Sequence, residues 1–196
     1  GSNGPRSHMN KTNNAHEALY YSKDFDTDKN LAGAKDLNWK AVFNFLQSCQ
    51  NLPGSNKEAW ASGDAKNKGG FVYDPAESKA GSETNAAGKV ALRSYGSISY
   101  AGMLSYIYAD LKRDDPRVVA VMDWLAQNYS LEENPGMGEQ GYYYYLHLMT
   151  KGLSIADVDQ VELKDGQKID WRKAVAMKLI NLQKADGSWA NANGRW

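Results

Sequence analysis

One stretch of this chain occurs twice with identical internal spacing. Ala41-Val42, Leu46 and Gln50 are matched by Ala174-Val175, Leu179 and Gln183. After each Gln comes a Gly-x-aromatic triplet, Gly69-Gly70-Phe71 in the first copy and Gly187-Ser188-Trp189 in the second. Apolar residues one helical turn apart mark a single helix face, so each copy reads as an amphipathic helix that ends at its Gln. A third copy is degenerate: Ala120-Val121 and Leu125 keep their places, and Tyr129 stands where the Gln would be. Helices starting near Asn14, Ser94 and Gln140 alternate with these three. A hairpin that buries its apolar face only against its neighbours predicts a stacked row of helices, inner alternating with outer.

Local signals support that division. Asn14 followed by Glu17 has the form of a capping box, with Ala15, Ala18, Leu19 and Ser22 as a small-residue face. Asp36 precedes a helix carrying Trp39, Val42, Phe43, Leu46, Cys49 and Gln50. Asp115-Pro116 pairs an N-cap with proline at the first helical position, and Val118, Val121, Met122, Leu125 and Tyr129 follow at helical spacing. Asn134-Pro135-Gly136 breaks that run before a helix from about Gln140 to Leu153. Asp170 caps a last helix with the stripe Trp171, Val175, Leu179 and Leu182. Residues 51–93 are rich in Gly, Asn, Ser and Lys, with Gly69–Tyr73 as one candidate short strand. A loop this long is uncommon inside a compact domain and is often functional. Residues 161–169 read as a small hairpin on the Asp165-Gly166 turn.

Charge narrows the partners. Lys+Arg and Asp+Glu both number 23, so the net charge is zero and neither nucleic acid nor an anionic membrane is expected as the main partner. No run of about 18 apolar residues predicts a transmembrane segment. The single cysteine, Cys49, excludes an internal disulfide and reads as a buried, inert thiol. His8, His16 and His147 show no metal-site spacing, and no phosphate-loop, dinucleotide or EF-hand motif occurs, so no metal and no cofactor are expected. Residues 1–9 read as an expression-tag remnant, leaving 10–196 as one domain; the compartment is left open.

The repeat resembles the QW-type repeat of squalene–hopene cyclases and the β subunits of protein prenyltransferases. That resemblance implies an all-α fold, a partial α/α-toroid in which alternating helices form two concentric rings. The Gln and the aromatic residue would tie one outer helix to the start of the next. About three inner/outer hairpins are visible, with a long irregular insertion and a small β-hairpin. Such an incomplete ring exposes apolar flanks, which predicts self-association, and the chain reads as a fragment or half-toroid.

The family's chemistry can be compared residue by residue. The cyclases protonate substrate with an Asp-x-Asp-Asp motif; the nearest string here, Asp24-Phe25-Asp26-Thr27-Asp28, lacks the final adjacent Asp and reads as a solvated turn. Zinc in the prenyltransferases is held by Asp, Cys and His, whose places are taken here by Leu92, Ser94 and Tyr145. His147 lies two positions further on, about 200° around a helix. Gly136-Met137-Gly138-Glu139-Gln140 resembles the thioester pentapeptide of complement-type toroids, but Met137 replaces the cysteine that forms the bond. It reads as a Gly-rich helix start.

In such toroids the N-terminal ends of the inner helices face the central cavity. The resemblance therefore implies a ligand site of Arg93, Ser94, Tyr95, Glu139, Gln140, Tyr142, Tyr143 and Tyr144, with no catalytic or metal residue assigned. Tyrosine walls suit a hydrophobic, isoprenoid-like small molecule or a stacked glycan, and they equally suit plain helix packing. Three readings stay open: a binding or scaffold module for a hydrophobic ligand or a protein partner, a cyclase-like or prenyltransferase-like enzyme whose acid lies elsewhere, and a polysaccharide-active α/α-barrel enzyme with Glu139 as one carboxylate.

Overall fold

The structure, a computed structural model, describes residues 7–22, 37–84, 88–191 and 193. Six helices are present among them: α1 (Met9–Tyr21), α2 (Trp39–Ser48), α3 (Gly96–Tyr108), α4 (Pro116–Gln127), α5 (Tyr142–Ile155) and α6 (Trp171–Leu182). Two antiparallel hairpins complete the secondary structure. β1 (Ser82–Thr84) pairs with β2 (Val90–Leu92), Glu83 opposite Ala91, and β3 (Val161–Glu162) pairs with β4 (Lys168–Ile169), Val161 opposite Ile169. No described helix is long and apolar enough to cross a membrane.

Everything is arranged around α3, where twelve of thirteen residues are buried. A helix buried on every side needs no amphipathic stripe. Small residues let its neighbours come close. The Cβ missing from Gly102 would stand 2.6 Å from the Phe71 ring, and the one missing from Gly152 of α5 would meet Met103 at 2.7 Å. Helices α1, α2, α4 and α5 all pack on α3, whereas α6 reaches the body through α5. Tyr100, Tyr106 and Tyr108 fill the core beside Met103, Leu104 and Met149.

The expected caps hold at α4 and α6. Asp115 accepts from Arg117 N at 2.9 Å, and Asp170 accepts from Lys173 N at 3.1 Å. At α2 the cap is Asn38, which accepts from Ala41 N at 3.1 Å; Asp36 lies outside the described residues.

Three expectations are corrected. Helix α1 begins at Met9, so Asn14 lies inside it; Glu17 pairs with Lys151 of α5 and caps nothing. Its buried face is Met9, Asn13 and His16, while Ala15, Ala18, Leu19 and Ser22 face outward. Residues 69–73 form no strand, only an isolated bridge between Phe71 and Gln50; the strands lie at 82–84 and 90–92.

Asparagines give the 51–93 segment its order. Asn51, Asn56 and Asn67 are buried, and their side chains satisfy main-chain groups that lack a sheet or helix partner. Asn51 Nδ2 donates to Leu92 O at 2.8 Å and its Oδ1 accepts from Ser62 N at 2.9 Å. Asn56 Nδ2 donates to Gln50 O at 2.8 Å, and Asn67 Oδ1 accepts from Ser94 N at 2.9 Å.

Candidate functional site

The two repeated glutamines make the same local structure. Gln50 Nε2 donates to Gly69 O at 2.9 Å, and Gln183 Nε2 donates to Gly187 O at 3.0 Å. The next residue's N–H bonds one carbonyl further along in both copies, Asn51 to Gly70 at 2.8 Å and Lys184 to Ser188 at 2.9 Å. Its carbonyl accepts the glycine N–H in both, Gly69 to Asn51 at 2.8 Å and Gly187 to Lys184 at 2.9 Å. Both glycines have positive φ, +96° and +83°. At Gly69 a Cβ would also lie 2.0 Å from Ala120 O of α4. The aromatic residues differ. Phe71 is fully buried against α3, whereas Trp189 is half-exposed and donates to Leu179 O at 2.8 Å.

Tyr129 does not replace the glutamine in the third copy. Its hydroxyl is buried without a hydrogen-bond partner, and burial pushes its pKa up to about 12. Asn134 ties that loop instead. Its Oδ1 accepts from Ser97 N at 3.0 Å, and its Nδ2 donates to Gln140 O at 3.0 Å. The start of α3 is thereby fixed to the turn that begins α5.

The eight residues expected to line one cavity fall into separate environments. Ser94 is buried and committed to structure: its Oγ donates to Asn67 O at 2.8 Å and accepts from Asn51 at 2.9 Å. Tyr142 donates to Leu131 O, and burial pushes its pKa up to about 12. Arg93 and Glu139 are exposed. The Glu139 carbonyl accepts from Asn191 at 2.8 Å, and Gln140 is held through its own carbonyl by Asn134. Tyr143 packs edge-on to Tyr142 and turns towards α6. Tyr95 and Tyr144 share a separate environment, joined by Tyr73, with Asp74 and Glu77 beside Tyr95. Burial, and after it these electron-rich neighbours, raise the Tyr95 phenol well above its ordinary value.

Space for a ligand lies elsewhere. One cavity of about 560 Å³ opens between α3, α4, α5 and the β3–β4 hairpin; Met103, Met122, Leu125, Leu153, Val161 and Leu163 form its apolar wall. A second, also about 560 Å³, lies between α5 and α6 and is lined by Tyr143, Leu146, His147, Val175, Leu179 and Trp189. Both fall within the size range of small-molecule sites. Of the eight expected residues, only Tyr143 lines either one. No signal in the sequence marked the first cavity, because its wall comes from four elements whose apolar residues read as ordinary core. Asp24–Asp28 lies outside the described residues.

Cys49 is fully buried, and desolvation raises its thiol pKa strongly, so it is not poised as a nucleophile. Among the described residues, no three His, Cys, Asp or Glu side chains gather as a metal-binding group. No protein-family model, no curated protein and no solved structure matches this chain.

Proposed function

We propose that the chain is a repeat domain of the squalene-cyclase and prenyltransferase type, a partial α/α-toroid that serves as a binding or scaffold module. Its ligand is a hydrophobic, isoprenoid-like molecule. The observation that carries the reading is the repeated glutamine clamp, with three equivalent hydrogen bonds at Gln50 and Gln183. Two independent loops of such different length share that geometry as copies of one structural unit. The succession of α1, α3 and α5 as packed neighbours, with α4 on α3 and α6 on α5, fits inner and outer layers.

The ligand class follows from the cavity beside the β3–β4 hairpin. Its wall of methionine, leucine and valine offers apolar surface, and methionine adapts to irregular chains. Asp123, Gln160 and Lys164 on the same lining suit a polar head.

Native mass spectrometry with a panel of short isoprenoid alcohols and diphosphates tests this. One ligand per chain is expected, lost when Met122→Trp fills the cavity. An unbound panel, or binding indifferent to Met122→Trp, would exclude this cavity as the site.

A further inference from the structure

A second kind of site is built around Tyr73 and Asp74, away from the apolar cavities. Asp74 is only 2% exposed. Its Oδ1 accepts from Ala76 N at 2.8 Å, but its buried Oδ2 has no hydrogen-bond partner. The ring of His8 stacks on Tyr73 with centroids 4.7 Å apart and planes inclined by 26°. His8 Nδ1 is likewise buried and unbonded, and it stops 3.5 Å from Asp74 Oδ2. The Lys79 ammonium also stands 4.5 Å from the centre of the Tyr73 ring. Tyr144, Glu77 and the Tyr95 phenol complete an electron-rich surround.

We propose that Tyr73 and Asp74 form a recognition slot for a planar cation, the guanidinium group of an arginine side chain, and that His8 fills it from within this chain. A buried carboxylate oxygen with no donor is costly, so the slot favours a positively charged donor. The face of a tyrosine attracts cations, and a flat one stacks on it as His8 does. Imidazole fits the stack and fails the hydrogen bond, since its Nδ1 stops short of Oδ2. A guanidinium has the same flatness with five N–H donors on a wider fork, so it can stack on Tyr73 and still reach the carboxylate. An ammonium reaches the carboxylate and offers no plane.

His8→Ala in the full chain empties the slot while the neighbouring Met9 N–H keeps its bond to Tyr73 O at 3.0 Å. Titrating this variant with Nα-acetyl-arginine amide, followed by calorimetry, is expected to give millimolar binding, about tenfold tighter than in the unsubstituted chain, where His8 competes. The matching lysine derivative is expected to bind several-fold more weakly. Adding Asp74→Asn keeps an acceptor for Ala76 N and should abolish binding. If that variant does not fold, Tyr73→Leu in the His8→Ala background decides, with a several-fold loss expected. The proposal is overturned if the arginine derivative does not bind, if removing His8 leaves affinity unchanged, if lysine binds as well, or if affinity survives loss of the carboxylate or ring.

Discussion

Gln50, at the end of α2, donates through Nε2 to the main-chain carbonyl of Arg117 in the first turn of α4, at 2.9 Å. The same nitrogen donates to Gly69 O, and the side-chain oxygen accepts from Tyr106 of α3 at 2.9 Å. One fully buried amide therefore joins α2, the following loop, α3 and α4. Gln50→Ala would remove three hydrogen bonds and strand the Tyr106 hydroxyl. A loss of about 3 kcal/mol is expected, at roughly 1 kcal/mol for each bond and more for the orphaned groups. The equivalent Gln183 is exposed, so Gln183→Ala should cost about 1 kcal/mol or less. Denaturant unfolding of the pair checks the contrast; equal losses would mean that the buried clamp carries no special weight.

Gly102 sits in the middle of α3, where alanine would normally add about 1 kcal/mol of helix stability. Here the added Cβ would lie 2.6 Å from the Phe71 ring, which is itself fully buried. Gly102→Ala is expected to destabilise by about 2 kcal/mol through overpacking. Gly54→Ala, with nothing within 4 Å of its Cβ, should be near neutral. A stabilising Gly102→Ala would show that Phe71 can move aside.

The repeated glutamines were legible from their identical spacing to the apolar residues before them, and the Asp115-Pro116 and Asp170 caps and the hairpin on Asp165-Gly166 because each depends on residues close together in sequence. The interior of α3 was not. Its Ser99 Oγ accepts from Phe71 N at 2.9 Å and donates to Tyr95 O at 2.8 Å, a pairing across 28 positions that no local pattern records. Helix α1 misled for a related reason. Two of its three buried residues, Asn13 and His16, are polar, and Asn13 accepts from the Ser105 hydroxyl of α3, so hydrophobic spacing pointed to the wrong face. The expected tyrosine cavity dispersed because Tyr142 commits its hydroxyl to the carbonyl of Leu131 and Tyr143 turns towards α6. Asp74 escaped notice because an Asp before a proline reads as a surface turn until its burial is known.

His16 links α1 to pH. Burial lowers its pKa below the ordinary 6.5, and its Nδ1 has no hydrogen-bond partner. The unfolded chain binds a proton near that value and the folded chain resists it. The stability from the buried neutral ring is thus complete above about pH 6.5 and declines below it, by at most about 1.4 kcal/mol per pH unit. His16→Gln removes this titration. Stability curves of the two proteins should converge as pH falls from 7.5 towards 5.5; parallel curves would show that His16 protonates freely in the fold.

Asp115 responds to acid in the same direction for a different reason. Its carboxylate accepts from Arg117 Nε at 2.8 Å and from the Arg117 main chain, and these bonds hold its pKa below the ordinary 3.8. The ion pair contributes above that value and is lost as pH drops through the lowered folded pKa. Asp115→Asn preserves the capping oxygen and removes the charge. Since both side chains are about one-fifth exposed, a cost of about 1 kcal/mol is expected at pH 7, shrinking as pH falls below the ordinary carboxylate range. A penalty independent of pH would assign the effect to the cap alone.

The α6 flank makes the strongest prediction about assembly. Met177, Ile180 and Trp189 are 51%, 64% and 45% exposed, and α6 is held to the body through α5. On the equivalent helix α2, Gln50 continues past the shared glycine bond to Arg117 and Tyr106, whereas the described hydrogen bonds of the Gln183 side chain stop at Gly187. In the repeat reading, this flank has the place on α6 that α3 and α4 cover on α2. A second copy offering its own apolar edge, with Trp39 and Leu37 43% and 40% exposed, is the available cover. Sedimentation in the micromolar range should therefore show concentration-dependent association, and Ile180→Glu should abolish it without changing unfolding stability by more than about 0.5 kcal/mol, the usual range for a surface position. A dilution-independent monomer would remove self-association from the reading and leave the flank to another partner.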